Sequence, residues 1–230
     1  EGLFSIAPRW WQNAQEARSW VSGERDAPFA HQWTSRTVFW FPWKNMVLWG
    51  MGLPLGLTAW AGWSVGLWQI VRRQKWVHLV PVLWIGILFF HQGAQWVKSL
   101  RYFLPIYPML VLMAAWFLVW LWDQAQEREA QAVFAWTPRK AGALFLLAGV
   151  ALATLIYGFG FSSIYTRPHT RVEASEWIYD NIPAGAIVAN ETVWDDGLPL
   201  RRPGRPPMDQ LFQVKLPLNG VPNYEGLSEE

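Results

Sequence analysis

Ala141–Phe161 reads AGALFLLAGVALATLIYGFGF, and no Asp, Glu, Lys or Arg interrupts the chain from Ala141 to Thr166. A helix crossing about 30 Å of hydrocarbon at about 1.5 Å per residue needs about 20 such residues. Lipid offers no partners for backbone N–H and C=O groups, so a segment of this kind must satisfy them internally as a helix. Three more windows share the property: Asn45–Val71, Trp76–Val97 and Tyr102–Trp122. The charges are therefore segregated, although the mean hydropathy of the whole chain is near zero. The other reading is four helices buried in a soluble core, which 230 residues are too few to cover. The expected fold is an all-α polytopic membrane protein with four transmembrane helices at about 45–71, 76–97, 102–122 and 141–161.

Composition agrees with that class. Hydrophobic residues make up 52% of the chain and charged ones 16%, against about 25% charged in a soluble domain. There are 19 Trp and no Cys, which argues against a disulfide-stapled domain or a Cys-ligated zinc site. A net charge of +2 is too mild to point to nucleic acid, so membrane lipid is the expected partner and nucleic acid is not.

The windows differ in quality. Asn45–Val71 carries the small-xxx-small pairs Gly52–Gly56 and Gly62–Gly66, which allow close helix approach, and Pro54, which can kink it. Trp76–Val97 ends in His91, Gln92, Gly93, Ala94 and Gln95, polar groups expected to face protein or water and to line a site. Six of the 22 residues in the links 72–75 and 123–140 are Lys or Arg, a density that places both links in the cytoplasm. Residues 1–44, the Lys98–Arg101 turn and residues 162–230 then lie on the extracytoplasmic side.

Residues 7–22 (APRWWQNAQEARSWVS) have helical spacing, with Trp10, Ala14, Ala17 and Val21 on one side. Two readings stay open: a helix lying in the headgroup region, or one packed on the rest of the protein. Residues 1–44 are thus expected to form an extracytoplasmic loop containing that helix, with Pro42 near the start of the first span. After the fourth span the composition becomes that of a soluble domain. Thr170 and Glu173 have capping-box spacing for a helix running toward Asn181, and Pro183-Ala184-Gly185 ends it. Ala186–Ala189 then reads as a short buried strand and Leu211–Val214 as a weaker one, the opening of an α/β domain over 162–230.

Chemistry is concentrated in two places. Lys98 and Arg101 occupy a very short extracytoplasmic turn, where topology least favours cations, so they are candidates to hold an anion such as a lipid phosphate. The alternative is that both snorkel to headgroups. Glu191, Asp195 and Asp196 follow the expected strand as candidates to contact an acceptor or a cation, although the spacing completes no metal-ligand pattern. No cofactor is assigned; a divalent cation at these carboxylates is the open option. Asn190-Glu191-Thr192 is a glycosylation sequon, and His31, His78 and His169 are isolated.

Lys98-Ser99-Leu100-Arg101-Tyr102-Phe103-Leu104-Pro105-Ile106-Tyr107-Pro108 resembles the K-x-x-R-Y-x-x-P-x-x-P turn of polytopic, lipid-carrier-dependent glycosyltransferases of the GT-C fold. These include glycosyltransferase family 39, the protein O-mannosyltransferases and the aminoarabinose transferases. His169–Tyr179, Pro183-x-Gly185 and Asn190-Glu191 through Asp195-Asp196 look like the start of the extracytoplasmic domain of bacterial members, and Phe41–Gly50 is similar to their mid-protein loop-to-span junction. The resemblance implies an integral protein of the bacterial plasma membrane that moves a sugar from a polyprenyl-phosphate donor to an extracytoplasmic acceptor. It implies that Lys98, Arg101 and Tyr102 bind the donor phosphate, with His91, Gln92 and Gln95 as polar lining. The family's catalytic carboxylate lies in an earlier loop, so none is assigned here. The chain is accordingly expected to be a fragment of the middle and later part of such an enzyme, inactive alone. A transporter or flippase of a lipid-linked molecule predicts ionisable residues at mid-membrane and repeated spans. Neither is visible in the sequence. A non-catalytic scaffold is the third reading.

Overall fold

Glycine and proline decide where the first apolar window becomes a helix. The computed structural model describes residues 7–24, 28–127, 137–183, 186–191 and 212–216. Helix α1 covers Pro8–Ser22, and after a 3-10 segment at Pro28–Trp33 comes α2, Trp40–Asn45. α2 runs into a π turn at Met46–Gly50, after which Gly52 takes a left-handed φ of 77°. Pro54 sits in the first turn of α3, Leu53–Arg73, where its missing N–H and fixed φ are tolerated. The expected single span from Asn45 to Val71 is thus corrected to a broken entry followed by a helix that starts at Leu53. A charge count cannot see such a break.

A 3-10 turn at Trp76–His78 leads into α4, Leu79–Ala94. Pro105 lies inside a third 3-10 segment, Leu100–Ile106, which precedes α5, Tyr107–Glu127. Helix α6 spans Pro138–Ser162. Among the described residues, three helical segments are long and apolar enough to cross a membrane: Trp76–Ala94, Leu100–Gln126 and Pro138–Asn181, whose apolar stretch lies in α6. α3 has a comparable length, but its glycines, tryptophans, Ser64 and Gln69 dilute the aliphatic residues.

The chain divides into two units, Glu1–Phe159 and Gly160–Glu230. In the first, α3 and α5 form the closest helix pair. Gly62 makes this possible, because any Cβ there would strike the carbonyl of Met113, and at Gly66 it would lie 2.6 Å from Met113 Cε. The small-residue spacing expected to permit close approach does so here, on α5. Gly56 plays the same part against Val47 of the π turn. The core around this pair contains Met46, Ile85, Phe89, Phe103, Ile106, Leu110 and Met113.

Two indoles tie α4 to its neighbours. Trp63 Nε1 donates to Val82 O at 3.0 Å, and Trp84 Nε1 donates to Pro105 O at 2.9 Å. Just before α4, His78 Nε2 and Gln69 Oε1 lie 3.2 Å apart, both residues buried, with the His78 ring 4.2 Å from that of Trp116. α6 is little covered: Phe145 is 81% and Phe159 75% exposed, and Gly142 and Gly149 meet nothing within 4 Å. One of its contacts with the rest of the unit is Tyr157, which packs on Gly52 and donates its hydroxyl to Trp49 O at 2.7 Å.

In the second unit a 3-10 turn at Ser163–Thr166 precedes α7, Thr170–Asn181. Its N-cap is His169, whose Nδ1 accepts the Arg171 N–H at 3.2 Å, so the expected Thr170 cap moves one residue upstream. Strands β1, Ile187–Glu191, and β2, Phe212–Leu216, pair in parallel with Ile187 opposite Phe212 and Glu191 opposite Leu216. Both lie one residue later than the segments read from sequence and are slightly longer.

Candidate functional site

The Lys98–Tyr102 turn begins where α4 runs out of amide donors. A helix leaves its last four carbonyls without intrahelical partners. Here the chain folds back so that Gln95 N–H donates to Gln92 O at 3.1 Å. The Lys98 ammonium then supplies donors to the carbonyls of Gln95 at 2.9 Å and Trp96 at 3.2 Å. Gln92 adds its Nε2, which donates to Val97 O at 3.3 Å. A loop that would otherwise present bare carbonyls is satisfied by one cation and one amide.

Lys98 is only 4% exposed, and burial holds its pKa below the usual lysine value. No carboxylate among the described residues faces it. Its bonds are to neutral oxygens, so its charge is only partly compensated. Arg101 differs: it is exposed, its Nη2 lies 3.2 Å from the Tyr102 hydroxyl, and its Cζ lies 5.0 Å from the centre of the Tyr102 ring. A guanidinium stacked on an aromatic face keeps its in-plane N–H groups available to an oxyanion, the geometry that suits bidentate phosphate binding. Arg101 and Tyr102 are thus brought together at the surface, whereas the Lys98 ammonium turns inward.

The neighbouring polar residues separate in the same way. His91 is exposed, Gln92 is spent on the loop, and Gln95 contributes its backbone carbonyl. Gly93 is buried because the Phe39 ring occupies the space a Cβ would take, 2.8 Å from Cδ1. Phe39 itself has a left-handed φ of 60° just before α2, so the loop ahead of α2 closes over the end of α4 at the cost of a strained residue. Glu191 is the last residue of β1, opposite Leu216, while Asp195 and Asp196 lie outside the described residues.

Sequence reading missed the partners of the turn that come from far upstream. Val97 N–H donates to Val21 O, at the end of α1, at 3.2 Å. Gly23, with φ 84°, lies under the Trp96 indole, which would be 2.7 Å from any Cβ at that position. The glycine just beyond an amphipathic helix was the available signal, although it reads first as an ordinary helix terminator. Tyr107, in the motif-like stretch, also has an unforeseen place. Its hydroxyl is buried without a hydrogen-bond partner among the described residues, against Gly50 of the π turn.

Among the described residues no group of three or more His, Asp or Glu side chains is arranged to hold a metal. Comparison of the chain with known protein families, with curated proteins and with solved structures gives no match.

Proposed function

We propose that this chain is part of an integral-membrane glycosyltransferase that moves a sugar from a polyprenyl-phosphate donor to an acceptor outside the cytoplasm of a bacterium. In this reading α3 is the first of four spans, followed by α4, α5 and α6. The links at 72–75 and 123–140 face the cytoplasm. Residues 162–230, with α7 and the parallel β1–β2 pair, begin an extracytoplasmic α/β domain.

The observation that carries the reading is Arg101: an exposed guanidinium, stacked on Tyr102, at the very start of Leu100–Gln126, the second of two successive segments long enough to cross a membrane. A cation at that level, with no carboxylate among the described residues to neutralise it, is placed to take the phosphate of a carrier whose tail lies in the bilayer. The K-x-x-R-Y-x-x-P-x-x-P resemblance supports the same assignment. Arg101 and Tyr102 are the phosphate-contacting residues, and Lys98 holds the turn in shape from inside.

Full-length protein in liposomes, supplied with labelled polyprenyl-phospho-sugar, tests the assignment. Arg101→Ala should lower transfer by about 10²-fold, the order expected for removing one donor from a charge-stabilising site. Unchanged transfer rejects the role. Because the chain has no Cys, a single Gln74→Cys reporter tests the orientation: it should react with an impermeant maleimide only from the cytoplasmic side.

A further inference from the structure

We infer that the C-terminal end of α1 is a clamp on the donor turn: Val21 and Gly23 hold Trp96 and Val97, and this docking fixes the backbone from which Arg101 projects. The inference rests on the assignment of that turn to the donor phosphate.

Two independent contacts build the clamp. The Val21 carbonyl, left without an intrahelical partner at the end of α1, accepts the Val97 N–H at 3.2 Å. One turn further, the Trp96 ring lies directly on the backbone of Gly23, with its Cγ 2.7 Å and Cδ1 3.0 Å from where a Cβ would stand. The left-handed φ of 84° adds a second reason for glycine there. On its other side the same loop is held by Lys98 and Gln92, so residues 95–98 are pinned from within and from α1 together. The stiffness carries forward, because Tyr102 N–H donates to Ser99 O at 3.1 Å and starts the 3-10 segment on which Arg101 sits.

α1 has the form of a lever. None of its residues is buried, and Trp10 and Trp11, packed edge to face at 4.9 Å, are more than half exposed at the end remote from the clamp. Whatever orders α1 therefore also orders the turn. Trp96 and Gly23 are positioning residues, acting through the backbone of residues 96–98 on the group that meets the phosphate.

The test uses the full-length protein in nanodiscs and two measurements. Gly23→Val inserts a Cβ into the indole; Trp96→Ala removes the indole and Trp96→Phe keeps a ring. In Gly23→Val and in Trp96→Ala, amide hydrogen exchange at residues 96–98 should rise by about tenfold, as expected for losing one net hydrogen bond and a packed ring. Exchange within α3 and α5 should stay at the wild-type rate, which separates undocking from unfolding. The donor KM should rise by a similar factor with kcat little changed, and Trp96→Phe should recover most of both. Exchange at 96–98 that stays unchanged in both variants overturns the clamp, and so does a rise in exchange with no change in donor KM. Absence of transfer in the wild type instead sinks the glycosyltransferase reading, while the exchange result still decides whether α1 holds the turn.

Discussion

α3 and α6 are both glycine-containing helices of membrane length, yet they use glycine in opposite ways. In α3, Gly56, Gly62 and Gly66 each face a neighbour so closely that a methyl group would collide with it. In α6, Gly142, Gly149, Gly158 and Gly160 meet nothing within 4 Å. Spacing alone does not distinguish the cases. What does is the chain on either side: α3 carries Gln69, whose buried side chain meets His78 from outside the helix, whereas the mid-helix hydroxyl of α6, Thr154, bonds the Val150 carbonyl of its own helix. Small residues mark a packed face when a polar side chain that its own helix does not satisfy accompanies them, since lipid cannot satisfy it either.

The contrast breaks most visibly at Gly62. Gly62→Val should destabilise the protein by about 3 kcal/mol, because the clash is with the backbone carbonyl of Met113 and not with a movable side-chain end. Thermal unfolding in detergent would show it, and a shift no larger than that of a surface variant would mean that α3 and α5 are not in intimate contact.

Lys98 sharpens the comparison at the outer end of the packed helices. Lys98→Ala removes the donors to Gln95 O and Trp96 O and should lower stability by about 2 kcal/mol. Its pKa is lowered by burial, so just below the ordinary lysine value of about 10.4 the unfolded chain binds more protons than the folded one. Stability should therefore rise with pH in that range for the wild type, and the slope should be smaller in Lys98→Ala. Identical pH profiles would show that the ammonium is not buried.

Tyr107→Phe removes a hydroxyl that has no partner among the described residues, against Gly50. It should stabilise by about 1 kcal/mol, since a buried unsatisfied group costs its desolvation energy. Destabilisation would reveal a partner for the hydroxyl. The smallest effect belongs to α6: Gly149→Leu should change stability by less than about 0.5 kcal/mol, as at an uncrowded surface position.

The charge-free windows located α4, α5 and α6 because lipid selects against charge over a whole helix length, a property that composition records directly. Helix α1 was legible from its spacing and α7 from its capping signals. The break ahead of α3 was not, because it depends on Gly52 adopting one of several backbone conformations open to glycine, and on a five-residue π turn at Met46–Gly50 that no residue type in it specifies. At the candidate site, residue type identified Lys98 and Arg101 as a pair of cations. Their different fates follow from reach and backbone geometry: Lys98 folds back over the carbonyls of the preceding loop, while Arg101 sits on a 3-10 segment that turns it outward. The partner at Val21 is 76 positions away from Val97 in the chain. Such a pairing leaves no trace in local pattern.

The two indole bonds on α4 constrain how the bundle can move. Trp63 anchors α4 at Val82 from the α3 side, and Trp84 anchors it to Pro105 on the approach to α5. Sliding α4 along its axis by even one residue would break both bonds. Pistoning is thereby opposed from two flanks at once. Rotation of α3, α4 and α5 as one block is the rearrangement that leaves both rivets intact.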